Sequence, residues 1–492
     1  MKFFNYKNIS KKTGAAIGNH DFDFGFQNMS NQFSKADYPH LSANIFNRSE
    51  DKVWNFTNTF SHKIFQAGRL KVGVIGLTTL STPHTTSTNV TELDFKDHVN
   101  VTIENSKALK QQGVDIVLLV AHVGVVCKTG NVSDNHHLTI RSKATKIETN
   151  CSETDELYAF LNQLPPRTLD GVVGGHKHTI VHHWLNDIPV VVGDSNARHF
   201  NVLYLTYDLI NKRLISDYTK IEGPVPVCET MFHTERTCYT NHTMGLLDEN
   251  TQFLNFTFHG KIMQEDLGVK DYLHSYLEKA ERQKSDILGY IANPMMSSNE
   301  EESEMGNFVA DAIRNNCNSD VVVLNHGTMR VNWQQGVFSV YDLYETIPFE
   351  DKIVSFEVTG EELISIIHTL QEGYLGFYIT SGLKQNVCSS PHSLINVTLE
   401  HGIEIDKDKT YKVGTVKFML MGGDDFTKVL NYYVPRNYLY YDNLREVIRD
   451  YIVEMKVLNA NENRLIDQKN RRLIVHDCKR LEFPTKYSEF FE

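Results

Sequence analysis

Short runs of β-branched, apolar residues alternate along this chain with stretches of helical spacing, and that alternation limits the fold more than any other feature. Val72–Leu77 reads as a buried strand, Asp97–Gln112 as a helix and Asp115–Val120 as a second strand. Glu153–Leu164 is again helical, Gly171–Val173 and Pro189–Val192 are short strands, and Asn201–Asp208 alternates as an edge strand does. Strands alternating with helices build an α/β layer architecture. Three chemically unusual stretches, A-H-V-G, G-G-H-K-H-T and V-G-D-S, each follow a strand. Open α/β sheets place their sites at such carboxyl ends.

A chain of 492 residues exceeds what one hydrophobic core serves, so two domains are expected. The pattern loosens between Pro224 and Phe258, and Gln264–Leu288 then carries the longest helical signal, suited to a connector. A second α/β unit follows: Gly306–Asn315 is helical, Val321–Leu324 is a strand, Val340–Thr346 leads a helix, Ile353–Val358 is a strand and Thr359–Gln371 is another helix. The domains expected are 1–258, a connecting helix over 259–288, and 289–492.

The formal net charge of −12 argues against a nucleic-acid surface, which needs a basic stripe, but leaves room for a local pocket for one small phosphate ester. No run of about 18 apolar residues occurs, so no spanning helix is expected. The terminal K-Y-S-E-F-F-E carries no hydrophobic tail of the kind a GPI signal requires. Asn-X-Ser/Thr triplets begin at Asn8, Asn28, Asn47, Asn55, Asn89, Asn100, Asn131, Asn150, Asn241, Asn255 and Asn396, a density that points to the secretory pathway. Residues 1–20 nevertheless show neither an apolar core nor a small-residue cleavage site. The expectation is that Met1 is not the natural start. Among seven cysteines, Cys228 with Cys238 and Cys127 with Cys151 are close enough to pair, leaving Cys317, Cys388 and Cys478.

Three clusters carry chemistry. In Gly18-Asn19-His20-Asp21-Phe22-Asp23 a glycine turn presents an amide oxygen beside an imidazole, and Asp23 lies where it could hold the His20 ring. The same stretch also reads as a helix start capped by Asn19. His122 follows a strand and reads either as a structural histidine or as a ligand. In Gly174-Gly175-His176-Lys177-His178, two histidines on an extended segment would point the same way and reach one ion. Lys177 between them is expected to face solvent, with a phosphate contact as the alternative.

G-N-H-D-F-D, A-H-V-G and G-G-H-K-H-T, in this order, resemble the calcineurin-like metallophosphoesterases. Downstream, Met305-Gly306-Asn307 with Asp311, Asn325-His326-Gly327-Thr328-Met329-Arg330, Pro348-Phe349, Ser381-Gly382-Leu383-Lys384 and Gly422-Gly423-Asp424-Asp425-Phe426 are similar to the 5′-nucleotidase C-terminal domain. The resemblance covers nearly the whole chain. It implies a four-layer metallophosphoesterase β-sandwich flanked by helices, then a connecting helix that swings the nucleotide towards the metals, then an α/β nucleotide-binding domain. It also implies two divalent ions, commonly zinc, with Asn19, His122, His176 and His178 at ligand positions and His20 with Asp23 as the catalytic pair. Phe349 and Phe418 match rings that sandwich a base, and without the flanking motifs they would read as core. Asp424 matches a ribose contact, Asn325 a base contact and Arg330 a grip on phosphate. The substrate implied is AMP or another nucleoside phosphate. A homodimer is common among animal relatives, although no residue here fixes it.

Four departures stand out. The family's extra phosphate-side Arg gives way to the acidic stretch Ser297–Glu304, which predicts a weaker grip on an anion. Asp425 replaces a usual glycine, and Lys177 a usual small hydroxyl residue. The Asp-X-His strand and the Gly-Asp motif that complete the family's metal site do not lie upstream of Gly18, and Asp134-Asn135-His136 sits in a polar loop. The sequence therefore predicts an α/β fold without its first strand, one side of a two-metal site, and weak or no turnover by this chain. An apyrase acting on ATP and ADP, and a degenerate paralogue that binds nucleosides without turnover, are the competing readings.

Overall fold

The computed structural model describes residues 14–86, 90–129, 139–143, 149–233, 238, 251–372, 376–389, 392–424, 426–430 and 436–478. Asn8, Asn89, Asn131, Asn241, residues 134–136, Asp425 and the terminal K-Y-S-E-F-F-E lie outside them, as does most of the stretch before Ile17. The chain divides into two compact units, Met1–Glu265 and Asp266–Glu492.

The first unit is built on a six-stranded mixed sheet. Its strands are β1 (His62–Ala67), β2 (Leu70–Thr78), β3 (Ile116–His122), β4 (Gly171–Val173), β5 (Ile180–Leu185) and β6 (Ile188–Gly193), in the spatial order β5-β6-β4-β3-β2-β1. The four inner strands are parallel, and β1 and β5 close the edges antiparallel. Inner strands buried on both faces must be apolar throughout, which is why β3 reads I-V-L-L-V-A before its terminal histidine. Helices α1 (Gly25–Lys35), α2 (Thr82–Thr85), α3 (His98–Gln111) and α4 (Glu156–Gln163) complete the unit. Val101 and Leu109 of α3 and Leu157 and Leu161 of α4 pack with Val117, Leu119, Val172 and Val190 into one core. Parallel two-residue strands at Ala15–Ala16, His40–Leu41 and Thr59–Phe60 pair with one another. Ala16 and Leu41 pack on Val74 and Val120 in a separate cluster. The register pairs Thr78 with His122 and Val173 with Val120, so the ends of β2, β3 and β4 lie level along one sheet edge.

The second unit opens on α5 (Leu267–Ser285), capped by the Asp266 carboxylate, which accepts from Gly268 N and Val269 N. This helix stops three residues earlier than its periodicity predicts. Ile287–Ile291 is instead a strand that pairs with Gly336–Ser339 and Val457–Leu458, so tertiary pairing overrides local helical spacing. A five-stranded sheet forms the core from β7 (Val321–Leu324), β8 (Lys352–Thr359), β9 (Ile379–Ser381), β10 (Thr410–Val416) and β11 (Arg436–Asn443), ordered β9-β7-β10-β8-β11. The helices α6 (Glu304–Cys317), α7 (Gly360–Gln371), α8 (Lys417–Leu420) and α9 (Leu444–Met455) pack on it through Phe308, Ile313, Leu363, Ile366, Met419, Ile448 and Ile452. Thr359 opens α7 with a reciprocal capping box to Glu362.

Disulfides join Cys127 to Cys151 and Cys228 to Cys238, and a third joins Cys388 to Cys478. Cys317 is buried and unbridged. No helix among the described residues is long and apolar enough to cross a membrane.

Candidate active site

In the first unit the candidate residues gather where β2, β3 and β4 end. The strand Ala15–Ala16 delivers Gly18, and a 3-10 turn over Asn19–Phe22 follows, its start fixed by Gly18 N donating to Asp21 Oδ2 at 2.8 Å. Gly18 packs closely on His122: a Cβ there would lie 3.0 Å from the His122 ring and would force it to shift. The turn buries Asn19 to 2% exposure. Its Nδ2 donates to the carbonyl of Thr85 at 2.8 Å, which orients its Oδ1 at 2.9 Å from His122 Nε2. His20 Nδ1 lies 2.6 Å from Asp23 Oδ2. A carboxylate accepts only, so Nδ1 carries the proton. The other carboxylate oxygen of Asp23 accepts from Thr86 Oγ1 at 3.1 Å. The His20 side chain keeps 42% of its surface exposed, so a ligand can reach it.

Gly174–His178 lies against this turn. The rings of His122 and His176 are 5.1 Å apart, centroid to centroid. Both histidines of the His-X-His motif have left-handed backbone, with φ of 74° at His176 and 53° at His178. The extended segment expected from the sequence is therefore a tight turn, tied by Lys177 N to Gly175 O and Gly175 N to Val123 O. Left-handed conformation at two non-glycine sites two residues apart is unfavourable and clusters at functional sites. Gly124 admits this turn, since a Cβ there would lie 2.4 Å from the Gly175 carbonyl oxygen. Lys177 is exposed and its Nζ pairs with Asp155 at 3.5 Å.

Burial, and then the neighbouring His176, His20 and His178, push the His122 pKa down to about 3. The ring is neutral at physiological pH, the form that ligates metals. Ligands set about 2.1 Å from one cation at right angles lie ~3 Å apart. The 2.9 Å between Asn19 Oδ1 and His122 Nε2 suits two donors facing one ion. Asn19, His122 and His176 thus fit one wall of a divalent-cation site. They do not complete one: among the described residues, no group of three or more His, Cys, Asp or Glu side chains is gathered closely enough to hold an ion.

The second unit holds the other candidates. Asn325, at the end of β7, donates from Nδ2 to Asp424 Oδ2 at 2.5 Å and accepts from Thr328 Oγ1 at 2.7 Å. Tyr378 donates its hydroxyl to the Asp424 carbonyl, and Asp424 is left-handed at φ 45°. The Arg330 guanidinium stands over the Phe349 ring, 5.2 Å from its centroid. Arg445, buried in α9, donates to the carbonyls of Ile347 and Phe349 at 2.8 Å each and so fixes the Pro348-Phe349 turn. Asp351 ties that turn to Phe418 by accepting from Phe418 N at 3.1 and 3.2 Å. Burial pushes the Asp351 carboxyl up to about 6 despite these bonds.

Beside this cluster lies a small cavity lined by Glu301, Ser303, His326, Phe377 and Tyr378. The acidic stretch is part of the structure there: Glu302 accepts from Asn307 Nδ2 at 2.7 Å and from Arg472 N at 3.1 Å. Arg472 also lines the cavity and grips Asp311 bidentately at 2.7 Å. Sequence reasoning did not select Phe377, Arg472, Thr85 or Thr86. The hydroxyl-rich run T-T-L-S-T-P-H-T-T after β2 was the available signal for the last two.

Residues 285–431 match the family model described as the 5′-nucleotidase, C-terminal domain. A cell wall protein of Listeria monocytogenes is 23% identical over 450 residues, covering 84% of this chain; the chain spans about half of that protein, 52%. A 5′-nucleotidase of Vibrio cholerae is 23% identical over 485 residues, covering 93% of this chain and 79% of its own length. The crystal structure of a 5′-nucleotidase precursor from Thermus thermophilus superposes with a TM-score of 0.70 at 19% identity, covering 96% of this chain and 84% of that one. Residues 285–431 thus carry the 5′-nucleotidase C-terminal domain, and the chain is similar along both of its units to a 5′-nucleotidase in sequence and to a 5′-nucleotidase precursor in fold.

Proposed function

We propose that this protein is a secreted, metal-dependent nucleotide phosphohydrolase that releases phosphate from extracellular nucleoside phosphates. The observation that carries the reading is the His20–Asp23 pair at 2.6 Å beside the Asn19–His122 pair at 2.9 Å. A divalent cation held by Asn19, His122, His176 and His178 would lower the pKa of a bound water and offset charge on phosphoryl oxygens. The chain's own part is positional and electrostatic. Asp23 holds His20 through Nδ1, which aims the ring's other nitrogen at a phosphoryl oxygen where negative charge develops. In the second unit, Asn325 and Asp424 are preset by their mutual hydrogen bond to meet base and ribose, and Arg330 and the Phe349 and Phe418 rings complete the nucleotide site.

Secretion is supported by three disulfides among the described residues, which form in oxidising compartments. The glycosylation triplets support it too, since Asn28, Asn55, Asn100, Asn255 and Asn396 are all exposed.

Phosphate release from AMP, ADP and ATP, with and without added zinc, tests the function, and calorimetry with adenosine tests the binding half. Because the donors fit one wall of a cation site, we expect weak turnover that requires added metal. His20→Ala should abolish it while sparing adenosine binding. Equal loss of both would make His20 structural. Robust turnover without added metal would overturn the metal assignment. Adenosine binding with no turnover under any metal would establish the binding-only alternative.

A further inference from the structure

We propose that Thr86 is a positioning residue for the His20–Asp23 pair, and that the segment 79–86 is the clamp that holds it in place. The inference rests on the reading of His20 and Asp23 as the reacting pair. It starts from an asymmetry among the threonines after β2. Thr82 Oγ1 donates to the Thr79 carbonyl at 2.7 Å and Thr85 Oγ1 to the Ser81 carbonyl at 3.0 Å, so both hydroxyls are used inside the segment. Thr86, 6% exposed, instead reaches across to Asp23 Oδ1 at 3.1 Å.

The Asp23 carboxylate is thereby held at both oxygens, Oδ1 by Thr86 and Oδ2 by His20 Nδ1. A carboxylate fixed at one oxygen rotates about χ2, whereas one fixed at both has its plane set. That plane sets the direction of the His20 ring. The neighbouring residue acts on the other donor, since the Thr85 carbonyl accepts from Asn19 Nδ2 and turns Asn19 Oδ1 towards His122. One short segment therefore orients both the proton-handling pair and the amide donor.

The clamp is itself anchored. Glu156, at the first turn of α4, accepts from Thr79 Oγ1 at 2.6 Å and from Leu80 N at 2.7 Å. Its neighbour Asp155 accepts from Val126 N at 2.7 Å and pairs with Lys177, the residue between His176 and His178. The amino terminus of α4 thus fastens the segment behind His20 and the histidine turn facing it. Outer-shell partners of this kind typically change activity 10–100-fold when removed.

The test reads the His20 tautomer by two-bond 1H–15N correlation on the uniformly labelled full chain at pH 8, with His20→Ala assigning the signal. The wild type should show mainly the Nδ1–H form. Thr86→Val should shift it towards the Nε2–H form that free imidazole prefers, and Thr86→Ser should restore the wild-type pattern. Wherever turnover is measurable, Thr86→Val should lower kcat ~10–100-fold with KM little changed. Should the valine variant unfold, Thr86→Ala removes the hydroxyl without added bulk, its fold checked by circular dichroism. An unchanged tautomer in a folded Thr86→Val or Thr86→Ala variant would overturn the proposal. The tautomer is read without substrate, so a chain that shifts tautomer but hydrolyses nothing refutes the proposed reaction alone.

Discussion

Asp351→Asn isolates the electrostatics of the turn that carries Phe349. The part-buried Asp351 carboxyl is pushed by burial from 3.8 up to about 6, even though it accepts from Phe418 N at 3.1 and 3.2 Å. Its folded pKa lies above its unfolded one, so the folded state binds more protons between about pH 4 and pH 6. Its favourable contribution is therefore complete below the unfolded pKa and is lost as pH rises through about 6. At 1.36 kcal/mol per pKa unit, the ionised form weighs against the fold by ~3 kcal/mol at neutral pH. Asparagine keeps an acceptor oxygen for Phe418 N and removes the charge. In a unit of this size 1 kcal/mol shifts Tm by roughly 2–4 °C. The variant should therefore melt ~6–12 °C higher at pH 7.5 if the whole penalty is relieved, with the gain shrinking between pH 6 and 4 and vanishing below about pH 4. Differential scanning calorimetry of both proteins across pH 3.5–8 measures this, following the transition of the second unit. A gain independent of pH would show that the asparagine acts through packing. A loss at pH 7.5 would mean that the ionised carboxylate stabilises the turn, and would refute the reasoning.

Two further outcomes follow from buried groups. His182 is fully buried with neither ring nitrogen hydrogen-bonded, and burial, then the charges of Arg141 and His183, push its pKa down to about 3. Its unfolded pKa is about 6.5, so the neutral ring's contribution is present above that value and is lost progressively as pH falls towards about 3, reaching ~2 kcal/mol by pH 5. His182→Leu should raise the first unit's Tm, by more at pH 5 than at pH 7.5; a larger gain at pH 7.5 would count against this account. The Cys388–Cys478 bridge closes a span of 90 residues, against 24 for Cys127–Cys151. Loop closure then assigns ~4–5 kcal/mol to the former and ~3 to the latter. In urea titrations, Cys478→Ser should lose more stability than Cys151→Ser, and the reverse order would show that strain or residual structure dominates.

The parts of the fold that were legible are those whose signal is local. Strand β2 covers Leu70–Thr78 where the apolar run predicted Val72–Leu77, and α7 starts at the T-G-E-E cap. Local reasoning failed where a partner far along the chain decides the outcome. Ile287 and Leu288 look helical by spacing but leave α5 because strands at Gly336–Ser339 and Val457–Leu458 offer them pairing. Cys388 had no visible partner because Cys478 is brought beside it by the parallel pairing of Leu383–Ser389 with Leu473–His476, which aligns Cys388 with His476. Sequence periodicity carries no information about such pairings.

The candidate site divides along the same line. The Gly-Asn-His-Asp-Phe-Asp stretch contains both members of its pair, because His20 and Asp23 are three residues apart and the 3-10 turn brings them to 2.6 Å. The meeting of Asn19 with His122, 103 residues away, depends on the Ala15–Ala16 strand packing where β3 ends, and only the order of the motifs hinted at it. Thr86 was invisible for a further reason. Its type is unremarkable and its distance from Asp23 is 63 residues, so nothing distinguished it from Thr82 or Thr85 until their hydroxyls were seen to turn inward and its own did not. A reacting group can thus announce itself by residue type, whereas the group that aims it is defined by direction. Direction is a property of the folded chain, and for this reason the Thr86 variants test something that motif matching leaves undecided.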